Sequence, residues 1–169
     1  MRLGRLARHL GATHVAARRR FPARTLDAIE AAVARAEKNH AGEIRFVVEA
    51  ALSPAQVLAG MSPRARALEV FAAQRVWDTE HNNGVLLYVE LADRIVEIVA
   101  DRGLAGRVKP DEWEGVCRLM EAHYRAGRFE AGSIAGVDAI GVLLARHFPS
   151  SMKRARDAPN ELPDRPTLL

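Results

Sequence analysis

His81 to Gly103 reads HNNGVLLYVELADRIVEIVADRG, and this stretch decides the fold. Val85–Leu91 and Ile95–Ala100 are short runs rich in Val, Ile and Leu, separated only by Ala92-Asp93-Arg94. Two such runs around so short a connection predict an antiparallel hairpin over 85–100. Glu90 and Glu97 are the only charges inside the runs, so both sheet faces are expected to be covered, as when helices pack on each side. A hairpin brings its outer ends together. His81-Asn82-Asn83-Gly84 should therefore lie beside Asp101-Arg102-Gly103, and that shared edge is the place to look for function.

Working toward the N-terminus, Glu43 to Ala51 alternates, with Ile44, Phe46, Val48 and Ala50 on one face. That is a strand. About thirty residues with two Ser-Pro helix starts, Ser53-Pro54 and Ser62-Pro63, join it to the hairpin. A helical crossover of this kind favours parallel pairing between 43–51 and 85–91. A helix over 25–38 precedes it, with Thr25 expected as cap, and helices over 110–126 and 129–148 follow the hairpin. Gly127 should separate those two. Gly132 and Gly136 lie four apart in the last helix, where each costs about 1 kcal/mol against Ala, so a close approach of another element is expected there. Trp77 and Trp113 are expected in the core. The fold class is α/β: a three-layer sandwich with a small mixed central sheet flanked by helices.

The chain has 169 residues and a formal net charge of +4, enough for one domain with a real core. The charge is unevenly placed. Of 25 lysines and arginines and 21 acids, seven arginines and no acid fall in residues 1–24, and four bases and three acids fall in 150–169; fourteen bases then face eighteen acids between them. The body is acidic, which argues against a nucleic-acid surface on it. Residues 1–24 read as a basic arm, with Leu3, Leu6 and Leu10 at helical spacing. As an amphipathic anchor it would contact an anionic membrane surface or dock on a protein partner, itself membrane-associated; the other reading is a basic terminal helix that packs on the body or frays. The arm lacks the apolar centre of a signal peptide and nothing reaches spanning length, so a cytoplasmic protein peripheral to the membrane is expected. Residues 149–169, with three prolines beyond Pro149 and mixed charges, read as a disordered tail. The single cysteine, Cys117, permits no internal disulfide and falls in a helical apolar stripe, where it packs as a small hydrophobe.

If the 43–51 strand is parallel to 85–91, Glu43 lands on the same edge as Asn82, Asn83 and Asp101. Asp78, Glu80, His81 and Arg102 are adjacent. Carboxylates and amide oxygens without sulfur are the ligand set of a hard cation, calcium or magnesium; Glu43, Asn82, Asn83 and Asp101 are the candidate ligands. No EF-hand loop, phosphate-binding loop, HExxH or GxSxG motif occurs.

Gly42-Glu43-Ile44, a helical segment ending in Trp77, Asn82-Asn83-Gly84-Val85-Leu86-Leu87, a strand ending near Asp101-Arg102-Gly103-Leu104, and Tyr124-Arg125-Ala126-Gly127-Arg128-Phe129 together resemble the TPM domain. The likeness spans residues 25–148. It implies an α/β sandwich, a metal-binding edge that takes calcium in some members, and the acid phosphatase activity attributed to plant members. In the family, the hairpin is often followed by Gly-aromatic-Gly-apolar-Glu. Here the run is Asp101-Arg102-Gly103-Leu104-Ala105, so the first glycine is an acid and the expected acid is Ala105. Either Asp101 replaces that carboxylate or the site holds no cation; Arg102 would lower cation affinity and suit a phosphate or carboxylate. The function expected is a TPM-type binding module with a calcium or magnesium site, with a metal-dependent acid phosphatase as the alternative.

Overall fold

The computed structural model describes residues 2–152 and 160–169. Its elements in order are α1 (Arg2–Gly11), α2 (His14–Arg20), α3 (Ala23–Ala36), β1 (Glu43–Glu49), α4 (Pro54–Leu58), α5 (Pro63–Ala73), β2 (Gly84–Glu90), β3 (Ile95–Ala100), α6 (Pro110–Arg125), α7 (Phe129–His147) and β4 (Thr167–Leu168). The strands lie in the order β3-β2-β1-β4. β2 and β3 form the hairpin, with Val85 opposite Ala100. β1 runs parallel to β2, with Glu43 opposite Gly84, as the crossover through α4 and α5 requires.

Every residue of β1 and β2 is buried, because each face of the sheet has its own core. Ile44, Phe46, Val48, Val85, Leu87 and Val89 pack beneath α3, α6 and α7 around Ile29, Met120 and Ile140. Val47, Leu86, Tyr88 and Val99 face the other way, onto Ala67 and Val70 of α5 and onto Val76. No helix among the described residues is long and apolar enough to cross a membrane.

Local chemistry explains most boundaries. Ser53 and Gln56 form a reciprocal capping box at α4, and Ser62 caps α5. Gly127 takes a positive φ of 74° between α6 and α7, the left-handed conformation that glycine adopts without cost. The glycines of α7 meet α6 closely: a Cβ at Gly132 would lie 2.6 Å from the His123 Cβ, and one at Gly136 would strike Met120.

Three expectations need correction, and one left open is decided. Thr25 does not cap α3, which starts two residues earlier after Pro22; its hydroxyl donates instead to the Glu130 carboxylate at 2.7 Å. α5 ends at Ala73, and Trp77 beyond it is 48% exposed with the Arg75 guanidinium over its ring. Of the two readings of the basic arm, packing on the body is the one found. Phe21 is buried against Tyr124 and Phe129, Ala17 is in the main core, and Arg5 and Arg8 pair with Asp93 at 2.7 and 3.1 Å. One aromatic anchor and one buried acid outweigh the arm's polar composition.

The last correction concerns the tail. Its stretch 153–159 lies outside the described residues, but 160–169 is ordered. β4 pairs parallel with β1, and Leu162 joins the core on the α5 face. Arg45 organises this segment. Its guanidinium donates to the carbonyls of Pro163 (2.8 Å) and Arg165 (2.7 Å) and to the Thr167 hydroxyl. A segment rich in Pro and charge folds here because one buried cation needs its carbonyls.

Candidate cation site at the sheet edge

β2 has a neighbour on each side at its first residue. Glu43 of β1 stands opposite Gly84, and the Asp101 amide donates to the Gly84 carbonyl from the other side (2.9 Å). The Gly103 amide donates to the Asn82 carbonyl (2.8 Å). Three distant segments therefore share one edge, as the parallel pairing of β1 demanded. Glycine makes the approach feasible: a Cβ at Gly84 would enter the Val76 carbonyl, and one at Gly103 would lie 2.7 Å from the His81 carbonyl oxygen.

Alternation along extended chain puts Glu43, Gly84 and Asp101 in one row across the face covered by α5. The row has a carboxylate at each end and a bare glycine between. Asn83 falls on the opposite face, fully buried, where its Nδ2 donates to the Ala41 carbonyl at 2.8 Å. Asn82 has a positive φ of 50°, and its Oδ1 accepts from the Arg102 Nε at 2.9 Å. Asp78 is exposed and paired with Arg75 at 2.5 Å. Glu80 is exposed and His81 half-buried. Of the residues expected at this edge, Glu43 and Asp101 share a face, while Asn83 lies beneath and Asn82 and Asp78 are engaged by arginines.

Glu43 is 6% exposed, and one of its oxygens accepts the Leu162 amide at 3.3 Å. The Asp101 Oδ1 accepts the Arg102 amide at 2.7 Å, but its Oδ2 is buried with no hydrogen-bond partner. The Asn83 Oδ1 is in the same condition. A buried carboxylate oxygen without a donor is costly, and an oxygen-only donor set fits a hard cation.

The family model of the TPM domain matches residues 19–143. The chain belongs to the TPM-domain family. A search among curated proteins finds no match. Among solved structures, the chain is similar to the NMR structure of BA42 protein from the psychrophilic bacterium Bizionia argentinensis sp. nov., at 30% sequence identity and a TM-score of 0.73; the match covers 87% of this chain and 94% of that one. In this TPM domain Ala105, where an acid was expected, is exposed and supplies no carboxylate. Asp101 instead begins a short 3-10 turn over Arg102–Leu104.

A second cluster, at the far end of β2, was not foreseen. His9, Glu90 and Asp93 bring their ligand atoms within 4.8 Å of one another. The one sequence signal was Glu90, an acid inside an apolar run. The hydrogen bonds argue against metal on the ring. His9 Nδ1 accepts the Leu52 amide at 3.0 Å, which leaves the proton on Nε2, 3.2 Å from the Asp93 Oδ2. Glu90 Oε1 and Oε2 accept the amides of Ala92 (2.9 Å) and Asp93 (3.1 Å). Burial alone would raise the Asp93 carboxyl, but the bonds from Arg5 and Arg8, with the His9 ring beside it, outweigh it and hold it below the ordinary value. The cluster fastens α1 to the hairpin turn.

Proposed function

We propose that this TPM domain is a binding module that takes a divalent cation, calcium or magnesium, between Asp101 and Glu43 on the α5 face of the sheet edge. The observation that carries the reading is the buried, unpartnered Oδ2 of Asp101. A cation would supply the missing positive partner, and the Glu43 carboxylate in the same row would complete its charge. The Arg102 guanidinium does not bond this oxygen; its Nε donates to the Asn82 Oδ1.

Calorimetric titration with calcium and magnesium chloride tests it. Wild type should release or absorb heat with at least one ion and melt at higher temperature in its presence. Asp101→Asn, which keeps shape and removes the charge, should lose both effects, and Glu43→Gln should weaken binding by about tenfold or more. No heat with either ion, or an unchanged response in Asp101→Asn, overturns the reading.

Hydrolysis of a phosphate ester at this edge would need water on the bound ion as the nucleophile, because no Cys, Ser or Asp sits in a recognisable nucleophile loop. The Cys117 thiol stands elsewhere on α6 and is pushed up to about 12 by burial. An acid phosphatase would turn over p-nitrophenyl phosphate and stop with Asp101→Asn.

A further inference from the structure

At the opposite end of β2 the hairpin turn, the end of α2, the end of α6 and the start of α7 enclose a cavity of about 280 Å³. Leu91, Tyr124 and Phe129 give it apolar wall, and Arg20, Arg94 and Arg125 line it from three separate elements. Tyr124 and Phe129 stack with ring centroids 5.1 Å apart, and the Arg20 guanidinium lies 5.6 Å from the Phe129 centroid. A second, more open cavity adjoins it through Arg20, Gly127 and Phe129 and adds Arg19, Arg24 and Arg128. The Tyr124-to-Phe129 run, prominent in the sequence and unused by the cation edge, thus supplies wall to both.

The charge balance in the cavity favours an anion. Among the described residues two acids line it, and both are already engaged. Glu121 accepts the Val96 amide and pairs with Arg125 at 3.7 Å. Glu90 accepts two backbone amides, and burial, with the Asp93 charge, pushes it up to about 8, so it is largely uncharged at neutral pH. Arg20 and Arg94 pair with no carboxylate among the described residues. Arg94 also occupies a left-handed position in the turn, φ 60°, where glycine or asparagine would cost less. The turn therefore holds a strained arginine beside an aromatic wall.

We infer that this cavity binds a small organic anion, with a phosphate or carboxylate head held by Arg20, Arg94 and Arg125 and an apolar body against Leu91, Tyr124 and Phe129. Guanidinium groups recognise both heads through paired N–H donors. A cavity at the small end of the usual range for ligand sites calls for a body of about one ring.

Phenyl phosphate is the probe, measured by calorimetry on the full chain, with benzyl alcohol as the uncharged control and phosphatidic acid vesicles as the lipid source of the same head group. Wild type should bind phenyl phosphate and not benzyl alcohol. Arg94→Gly relieves the turn and should melt no lower than wild type, yet bind about tenfold or more weakly; Arg20→Gln should do the same. Binding to vesicles alone, with the same sensitivity to Arg94→Gly, would identify a lipid phosphate as the ligand and equally support the site. Asp101→Asn should leave this binding unchanged, so the cavity and the cation edge stand or fall separately. The inference is overturned if neither phenyl phosphate nor vesicles bind, or if Arg94→Gly and Arg20→Gln bind as wild type does.

Discussion

Glu90, the last residue of the central strand β2, is an acid with no exposed surface. Burial, reinforced by the Asp93 charge, pushes its carboxyl up to about 8 from an ordinary 4.5. The folded chain therefore keeps a proton that the unfolded chain releases between those values. Wherever the native state binds more protons, stability falls as pH rises. Thermal melting from about pH 5 to about pH 8.5 should show wild type losing several degrees, and Glu90→Gln, neutral throughout, should show a visibly flatter profile. Parallel profiles for the two proteins would mean that Glu90 ionises freely in the fold. Tyr88, one turn of the pleat away, is raised by the same burial and by its bond to Glu49. Glu49 is in turn gripped by Arg66 at 2.9 Å.

At the scale of elements, the α6–α7 pair is set by glycine. Gly132 has no room for a Cβ, since the nearest obstacle is the His123 Cβ, an atom that cannot swing aside. Gly115, inside α6, has nothing within 4 Å of the same position. The two make a matched test. Gly115→Ala should stabilise the protein by about 0.5–1 kcal/mol through helix propensity and unfolded-chain entropy. Gly132→Ala gains the same propensity but forces the helices apart, and should destabilise by about 1–3 kcal/mol. Urea denaturation of both variants reads the difference. If both stabilise, the close packing of α6 and α7 is not what keeps glycine at 132.

At the scale of the whole molecule, Arg45 ties the last ten residues to the sheet. Burial lowers its pKa, and besides Gln74 its partners are two carbonyls and a hydroxyl from the C-terminal segment. Removing 160–169 leaves that cation short of partners and should cost about 3–5 kcal/mol. Arg45→Met in the shortened chain should recover part of the loss, because an apolar side chain needs no carbonyls. Failure of Arg45→Met to recover any stability in urea melts would show that β4 matters for its own pairing alone.

The hairpin, the crossover and the shared edge of Glu43, Gly84 and Asp101 were legible in the sequence, because period-two apolar runs and connection lengths constrain strand pairing through local geometry. Helix starts marked by Ser-Pro were legible for the same reason. The contacts that hold the arm, the ordered C-terminal strand, the His9–Glu90–Asp93 cluster and the arginine-lined cavity were not. Each depends on side chains that meet across long sequence separation: Arg45 with Pro163, Arg5 with Asp93, Arg20 with Phe129. Composition marked the tail as disordered and left the arm between docking and fraying, and the chain's own pattern determined the sheet. Whether a buried charge elsewhere would recruit the polar segments was decided only by tertiary structure, because that cost and its relief exist only once the core has excluded water.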